Sequence, residues 1–169
     1  MFHFTTLPPL SLYIHLPWCV RKCPYCDFNS HELRHELPER AYVDALLTDL
    51  EQELPGVWGR VVGSIFIGGG TPSLFSAESI DRLLAGVRAR VNCKPDMEVT
   101  LEANPGAVER GRFAEFRAVG VNRLSVGVQS FDDALLNKIG RIHDRREAIR
   151  AAELAHDAGF ANFNLDLMF

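Results

Sequence analysis

Val61-Val62-Gly63-Ser64-Ile65-Phe66-Ile67-Gly68-Gly69-Gly70-Thr71-Pro72 changes character once along its length. Residues 61–67 are almost continuously apolar and rich in β-branched side chains, as a strand covered on both faces requires. The three glycines let the chain turn tightly. Beyond them Ser76 stands as an N-cap before a helical pattern over 77–91. A fully apolar strand that leaves through a turn into a helix is the repeating unit of a parallel α/β sheet.

The same unit recurs on both sides. Upstream, 11–16 reads as a buried strand stopped by Pro17. Val43, Leu46, Leu47, Leu50 and Leu54 then fall at i, i+3, i+4, i+7 and i+11, the apolar stripe of a helix with Pro38 near its first turn. Pro55-Gly56 is expected to end it. Downstream come a strand over 98–102 running into Asn104-Pro105-Gly106, a helix over 110–119 and a strand over 123–128. Helical segments over 132–139 and 145–158 and a strand over 162–167 complete the series. The expected fold is therefore α/β, about five βα units around parallel strands, with no sequence repeat and no low-complexity segment. Because the chain stops at Met168-Phe169 directly after a strand, residues 1–169 are expected to be an incomplete core domain of a longer protein.

Composition bounds the class. The 169 residues are 47% hydrophobic and 24% charged, which suits a globular core, and a formal charge of -4 gives no basic field to recruit nucleic acid. The apolar N-terminus lacks a basic region and is broken by Pro8 and Pro9, so it reads poorly as a signal peptide. No run approaches the roughly 18 apolar residues of a membrane span. The expected location is the cytoplasm, where clustered cysteines more often mean metal or catalysis than disulfides.

Three of the four cysteines lie in Cys19-Val20-Arg21-Lys22-Cys23-Pro24-Tyr25-Cys26, immediately after the first strand. Cys-Pro-Tyr-Cys alone reads as a glutaredoxin-like dithiol at a helix N-terminus, which leaves Cys19 unexplained. Structural zinc needs a fourth ligand, for which His15, His31, His35 or the distant Cys93 are the candidates. Three thiolates also suit a 4Fe-4S cluster with one iron left open to a ligand. His3, His143 and His156 belong to no pattern.

The order of several motifs is more specific than any one of them. Tyr13-Ile14-His15-Leu16-Pro17-Trp18-Cys19, the cysteine spacing, Gly68-Gly69-Gly70-Thr71-Pro72-Ser73, Leu101-Glu102-Ala103-Asn104-Pro105 and Gly127-Val128-Gln129-Ser130-Phe131 span nearly the whole chain. Together they resemble the radical S-adenosylmethionine (SAM) superfamily, and within it the oxygen-independent coproporphyrinogen dehydrogenase family with its haem-chaperone branch. The resemblance implies a partial (βα)6 barrel whose site lies at the C-terminal ends of the strands. It also implies a sixth βα unit and a C-terminal domain beyond Phe169.

The resemblance further implies a 4Fe-4S cluster held by Cys19, Cys23 and Cys26, with SAM on the open iron. Reductive cleavage of that cofactor gives a 5′-deoxyadenosyl radical in such proteins. Gly69, Gly70 and Thr71 would let backbone approach its methionine part, and Tyr13, Glu102, Gln129, Arg141 and Asp166 fall at SAM-contacting positions. Alternation puts Tyr13 and His15 on one face of a strand, and in a dehydrogenase His15 would donate a proton. The implied partners are haem or a porphyrinogen, a haem-acceptor protein and an electron donor for the cluster. Members that oxidise coproporphyrinogen III carry a further cysteine two positions after the third, where this chain has Phe28. That departure favours the haem carrier, with the dehydrogenase as the alternative.

Overall fold

The computed structural model describes residues 5–106 and 112–169. Strand β1 (Leu10–Leu16) is followed by two short strands, β2 (Trp18–Cys19) and β3 (His31–Glu32), and helix α1 (Glu39–Val57). Strand β4 (Val61–Gly69) leads through a 3-10 turn at Pro72–Leu74 into α2 (Ala77–Arg88) and β5 (Asn92–Ala103). Then come α3 (Arg112–Ala118), β6 (Arg123–Gln129), α4 (Asp133–Lys138), α5 (Arg145–Asp157) and β7 (Phe163–Leu167). The order β1-β4-β5-β6-β7 makes one sheet with every pairing parallel. The five expected strands and the α/β class are present.

The boundaries differ in instructive ways. Helix α1 runs through Pro55 to Val57 instead of ending at it. Proline holds a helical φ by itself, and in a final turn its missing N–H removes only one bond. Strand β5 starts well before the expected residue 98, taking in Cys93, Lys94 and Pro95. Its partner register jumps between Val62 and Ser64, so Pro95 falls in a bulge where no ladder donor is required. The helix expected from 110 begins outside the described residues, and only Arg112–Ala118 of it is seen. Ser76 caps α2 by accepting from the Ser79 amide, and Asp144 with Glu147 forms a capping box on α5.

Register fixes what each face carries. Ile65 pairs with Val99 and Ile67 with Leu101, and Leu101 in turn with Leu124. These residues are buried in one core with Val43 and Leu47 of α1, Ile80 and Leu84 of α2, Phe116 of α3 and Ala151 of α5. The intervening residues face the other way. Tyr13 pairs with Phe66, His15 with Gly68, Glu102 with Ser125, and Ser125 with Asn164. A strand's period of two therefore delivers apolar side chains to the helices and polar ones to the inner face.

Candidate functional site

At the C-terminal ends of the strands the inner face opens into a cleft of about 470 Å³. Its walls include Cys19, Cys23, Cys26, Gly69, Gly70, Thr71, Glu102, Gln129, Arg141 and Asp166. Ten positions distributed over the chain thus converge, because every parallel strand points its exit loop to the same end. Tyr13 and His15 stand beside the cleft on the same sheet face. The Tyr13 hydroxyl lies 3.0 Å from His15 Nδ1, and His15 Nε2 lies 2.7 Å from the Asn29 carbonyl oxygen. A carbonyl only accepts, so Nε2 carries a proton. His15 is spent on both sides, and it ties β1 to the cysteine loop.

That loop is closed at its base by the parallel β2–β3 pair, with the His31 amide donating to Pro17 O and the Leu33 amide to Cys19 O. Inside it, Lys22 Nζ donates to the carbonyls of Phe28 and Ser30, at 3.0 and 3.1 Å. Ser30 is buried, with its hydroxyl 3.8 Å from Cys26 Sγ. Burial pushes the Cys19 thiol above its ordinary pKa, against the pull of the Thr71 and Ser30 hydroxyls. All four cysteines are free thiols.

The glycine turn is pressed against the cysteine strand. Gly70 N donates to Leu16 O and Thr71 N to Trp18 O, at 2.8 and 2.7 Å. A Cβ on Gly70 would sit 2.6 Å from Trp18 O and 2.8 Å from Pro17, and Gly69 adopts φ +123°. The chain's own backbone already requires glycine here, before any ligand is considered.

Across the cleft, Glu102 Oε2 accepts from the Gly69 amide at 3.0 Å. Burial, reinforced by the Asp166 charge, raises its carboxyl above the ordinary value, although the Gly69 bond and His15 oppose the shift. Asp166 accepts from the Ser125 hydroxyl and, at 2.5 Å, from Asn164 Nδ2. A raised folded pKa means that the native state holds the proton more tightly than the unfolded chain. The associated stability is present below the unfolded carboxyl value and is lost as pH rises through the folded one. Glu102→Gln, which keeps an acceptor for Gly69, is therefore expected to raise the melting temperature of the cofactor-free protein at pH 8 and to leave it unchanged at pH 4. An equal gain at both pH values would contradict the electrostatic origin.

Arg141 crosses from the loop after α4 to the cysteines. Its Nη2 donates to Asn104 Oδ1 and Gly127 O, both at 2.5 Å, and Nη1 donates to Cys23 Sγ at 3.6 Å. Its Nε is buried and, among the described residues, has no partner. His143 is buried two residues on, donating from Nε2 to Val128 O, and burial with the nearby Arg141 charge lowers its pKa. Gln129 adopts φ +68°, rare for a residue with a side chain, at the turn that ends β6. Asn104 was legible only as a letter in a motif, and it joins Thr71 Oγ1 at 2.9 Å to Arg141.

The donor set fits an iron–sulfur cluster with an organic cofactor. Three free thiols line one cleft that also carries two carboxylates, an amide and, beside Cys23, an arginine with an unspent buried N–H. Among the described residues, no group of three His, Cys, Asp or Glu side chains is gathered as for a single metal ion. Three sulfurs lining one cleft suit a cube in which each takes a different iron. Residues 20–30 form turns and bends, so Cys23 does not open a helix as a glutaredoxin-like dithiol requires. Of the zinc candidates, His15 is engaged at both nitrogens, and Cys93 pairs with Val62 at the opposite end of the sheet.

A family model described as the radical SAM superfamily matches residues 13–169. Heme chaperone HemW of Escherichia coli strain K12 is 58% identical over 162 residues, covering 96% of this chain and 43% of that protein. HemW of Bacillus subtilis strain 168 is 39% identical over 164 residues, 94% of this chain and 42% of its own. The solved structure of the Escherichia coli coproporphyrinogen III oxidase HemN, described as a radical SAM enzyme, matches with a TM-score of 0.85 at 33% identity. It is covered to 37%, against 95% of this chain. The chain thus spans less than half the length of these relatives.

Proposed function

The chain belongs to the radical SAM superfamily, and from that premise we propose that it is the cluster- and cofactor-binding core of a haem chaperone, which binds haem and passes it to acceptor proteins. The observation that carries this choice is Phe28. It stands two positions after Cys26, 59% exposed on the cleft wall, where a dehydrogenase would carry a further cysteine. The 58% identity to a HemW protein supports the same branch.

A 4Fe-4S cluster with SAM on its open iron supplies one-electron chemistry at the sulfonium when bound. The protein's own residues hold and shield it. Cys19, Cys23 and Cys26 each bind one iron through sulfur. Gly69, Gly70 and Thr71 present backbone to the methionine part without an intervening side chain. Glu102 and Asp166 accept from ribose hydroxyls, Arg141 pairs with the cofactor carboxylate, and Gln129 closes the wall between them. Tyr13 and His15 act as a pair that fixes the cysteine loop; in a dehydrogenase His15 would instead be the proton donor. Haem would be held together with residues outside 1–169, which we assign to an incomplete barrel core. Cluster reduction requires an external electron donor, and haem delivery an acceptor protein. No helix of the described residues is long and apolar enough to cross a membrane, and a cytoplasmic site of action is part of this proposal.

The test uses full-length protein, reconstituted anaerobically and supplied separately with haem and with coproporphyrinogen III. The expected result is stoichiometric haem binding and transfer to an apo-haem protein, with coproporphyrinogen III unchanged. Decarboxylation of coproporphyrinogen III coupled to SAM cleavage would instead establish the dehydrogenase, the reading favoured by the likeness to HemN.

A further inference from the structure

We propose that Arg141 sets the reduction potential of the cluster through its N–H···S contact with Cys23, a role separate from any pairing with the cofactor carboxylate. The inference rests on the proposed function in one respect, that Cys23 is a cluster ligand.

Three observations give the contact its meaning. First, it is held in place: Nη2 is anchored by Asn104 Oδ1 and Gly127 O, which leaves Nη1 directed at Cys23 Sγ. Second, the two segments are locked together. Gly140, at φ +74°, packs so closely on Pro24, between the second and third cysteines, that an added Cβ would lie 2.6 Å from its ring. Third, the Tyr25 side chain lies against both Cys23 and Arg141, so a third residue of the cysteine loop bears on the same contact. None of these is needed to bind a carboxylate.

Reduction adds one electron to the cluster, and no bond forms or breaks. The added negative charge spreads onto the ligand sulfurs, where a hydrogen-bond donor and a fixed positive charge stabilise it. Cluster potentials depend on such hydrogen bonds, on net charge and on solvent exposure. Arg141 supplies two of these at one sulfur, so its presence makes the cluster easier to reduce. The effect does not require SAM.

The experiment is a redox titration of full-length protein without SAM, with dithionite as the reductant and the spin signal of the reduced cluster as the readout. Iron and sulfide are quantified in parallel. Arg141→Gln is expected to retain iron and sulfide and to lower the ratio of reduced to oxidised cluster at fixed potential by about tenfold, a shift of about 59 mV for one electron. Arg141→Lys, which keeps the charge but loses the planar fork, is expected to fall between. Unchanged potentials in loaded variants would overturn the proposal and confine Arg141 to cofactor binding. Loss of the cluster from both variants would also overturn it, assigning Arg141 to assembly. A wild-type protein that holds no cluster would instead sink the proposed function on which this inference rests.

Discussion

Replacing any one of Cys19, Cys23 or Cys26 by alanine is expected to reduce the iron and sulfide of anaerobically reconstituted protein to about a tenth of wild type or less, since a cube held by three protein sulfurs loses a third of its anchoring. The effect should be equal for the three. All of them line the same cleft, and the loop that carries them is closed at its base by β2 and β3 whichever is changed. Cys93→Ala is the control. Cys93 donates weakly to Val91 O at the other end of the sheet and should leave iron content untouched. If Cys19→Ala retained iron and sulfide while Cys23 and Cys26 formed a mutual disulfide, the dithiol reading would have to be reinstated.

Gly70→Ala should be the most damaging single methyl in the site. The new carbon would meet Trp18 O at 2.6 Å and Pro17 at 2.8 Å, both backbone, so no side chain can rotate away. Relief requires the glycine turn to separate from the cysteine strand, breaking the bonds from Gly70 N to Leu16 O and from Thr71 N to Trp18 O. Overpacking of this kind costs about 2–3 kcal/mol, and two backbone bonds are at risk besides. The expected outcome is a melting temperature lower by about 5–10 °C, together with loss of measurable SAM binding in calorimetry. Gly56→Ala, in helix α1 with nothing within 4 Å of the added carbon, should instead stabilise slightly. A Gly70→Ala protein as stable as wild type would mean that the two segments are not tightly joined.

Much of this arrangement could be read from the residues. The five strands announced themselves because each is apolar toward the helices, and the helices because their stripes are regular, as Val43 and Leu47 illustrate. The first turn of α2 followed from Ser76, whereas the capping box of Asp144 and Glu147 on α5 was not read. What escaped were features that depend on partners. Lys94 and Pro95 look like a loop until Val61 and Val62 are known to lie beside that strand. The pairing of β2 with β3 is too short to have a period. In the site, cysteine spacing and the glycine run are local signals, so they were visible. Arg141 was indistinguishable from a surface cation until motif order singled it out, because its partners Asn104, Gly127 and Cys23 come from three other segments. Ser125 and Asn164, which hold Asp166, belong to no motif at all.

The short β2–β3 clasp bears on biogenesis. With the Pro17 and Cys19 carbonyls already engaged, and Lys22 pinning the segment from within, the entropy of gathering the three thiols is largely spent during folding. Iron and sulfide would then enter a preformed mouth. Less chain ordering would then oppose cluster capture than in a loop open at its base, and weakening the clasp would be felt as slower loading.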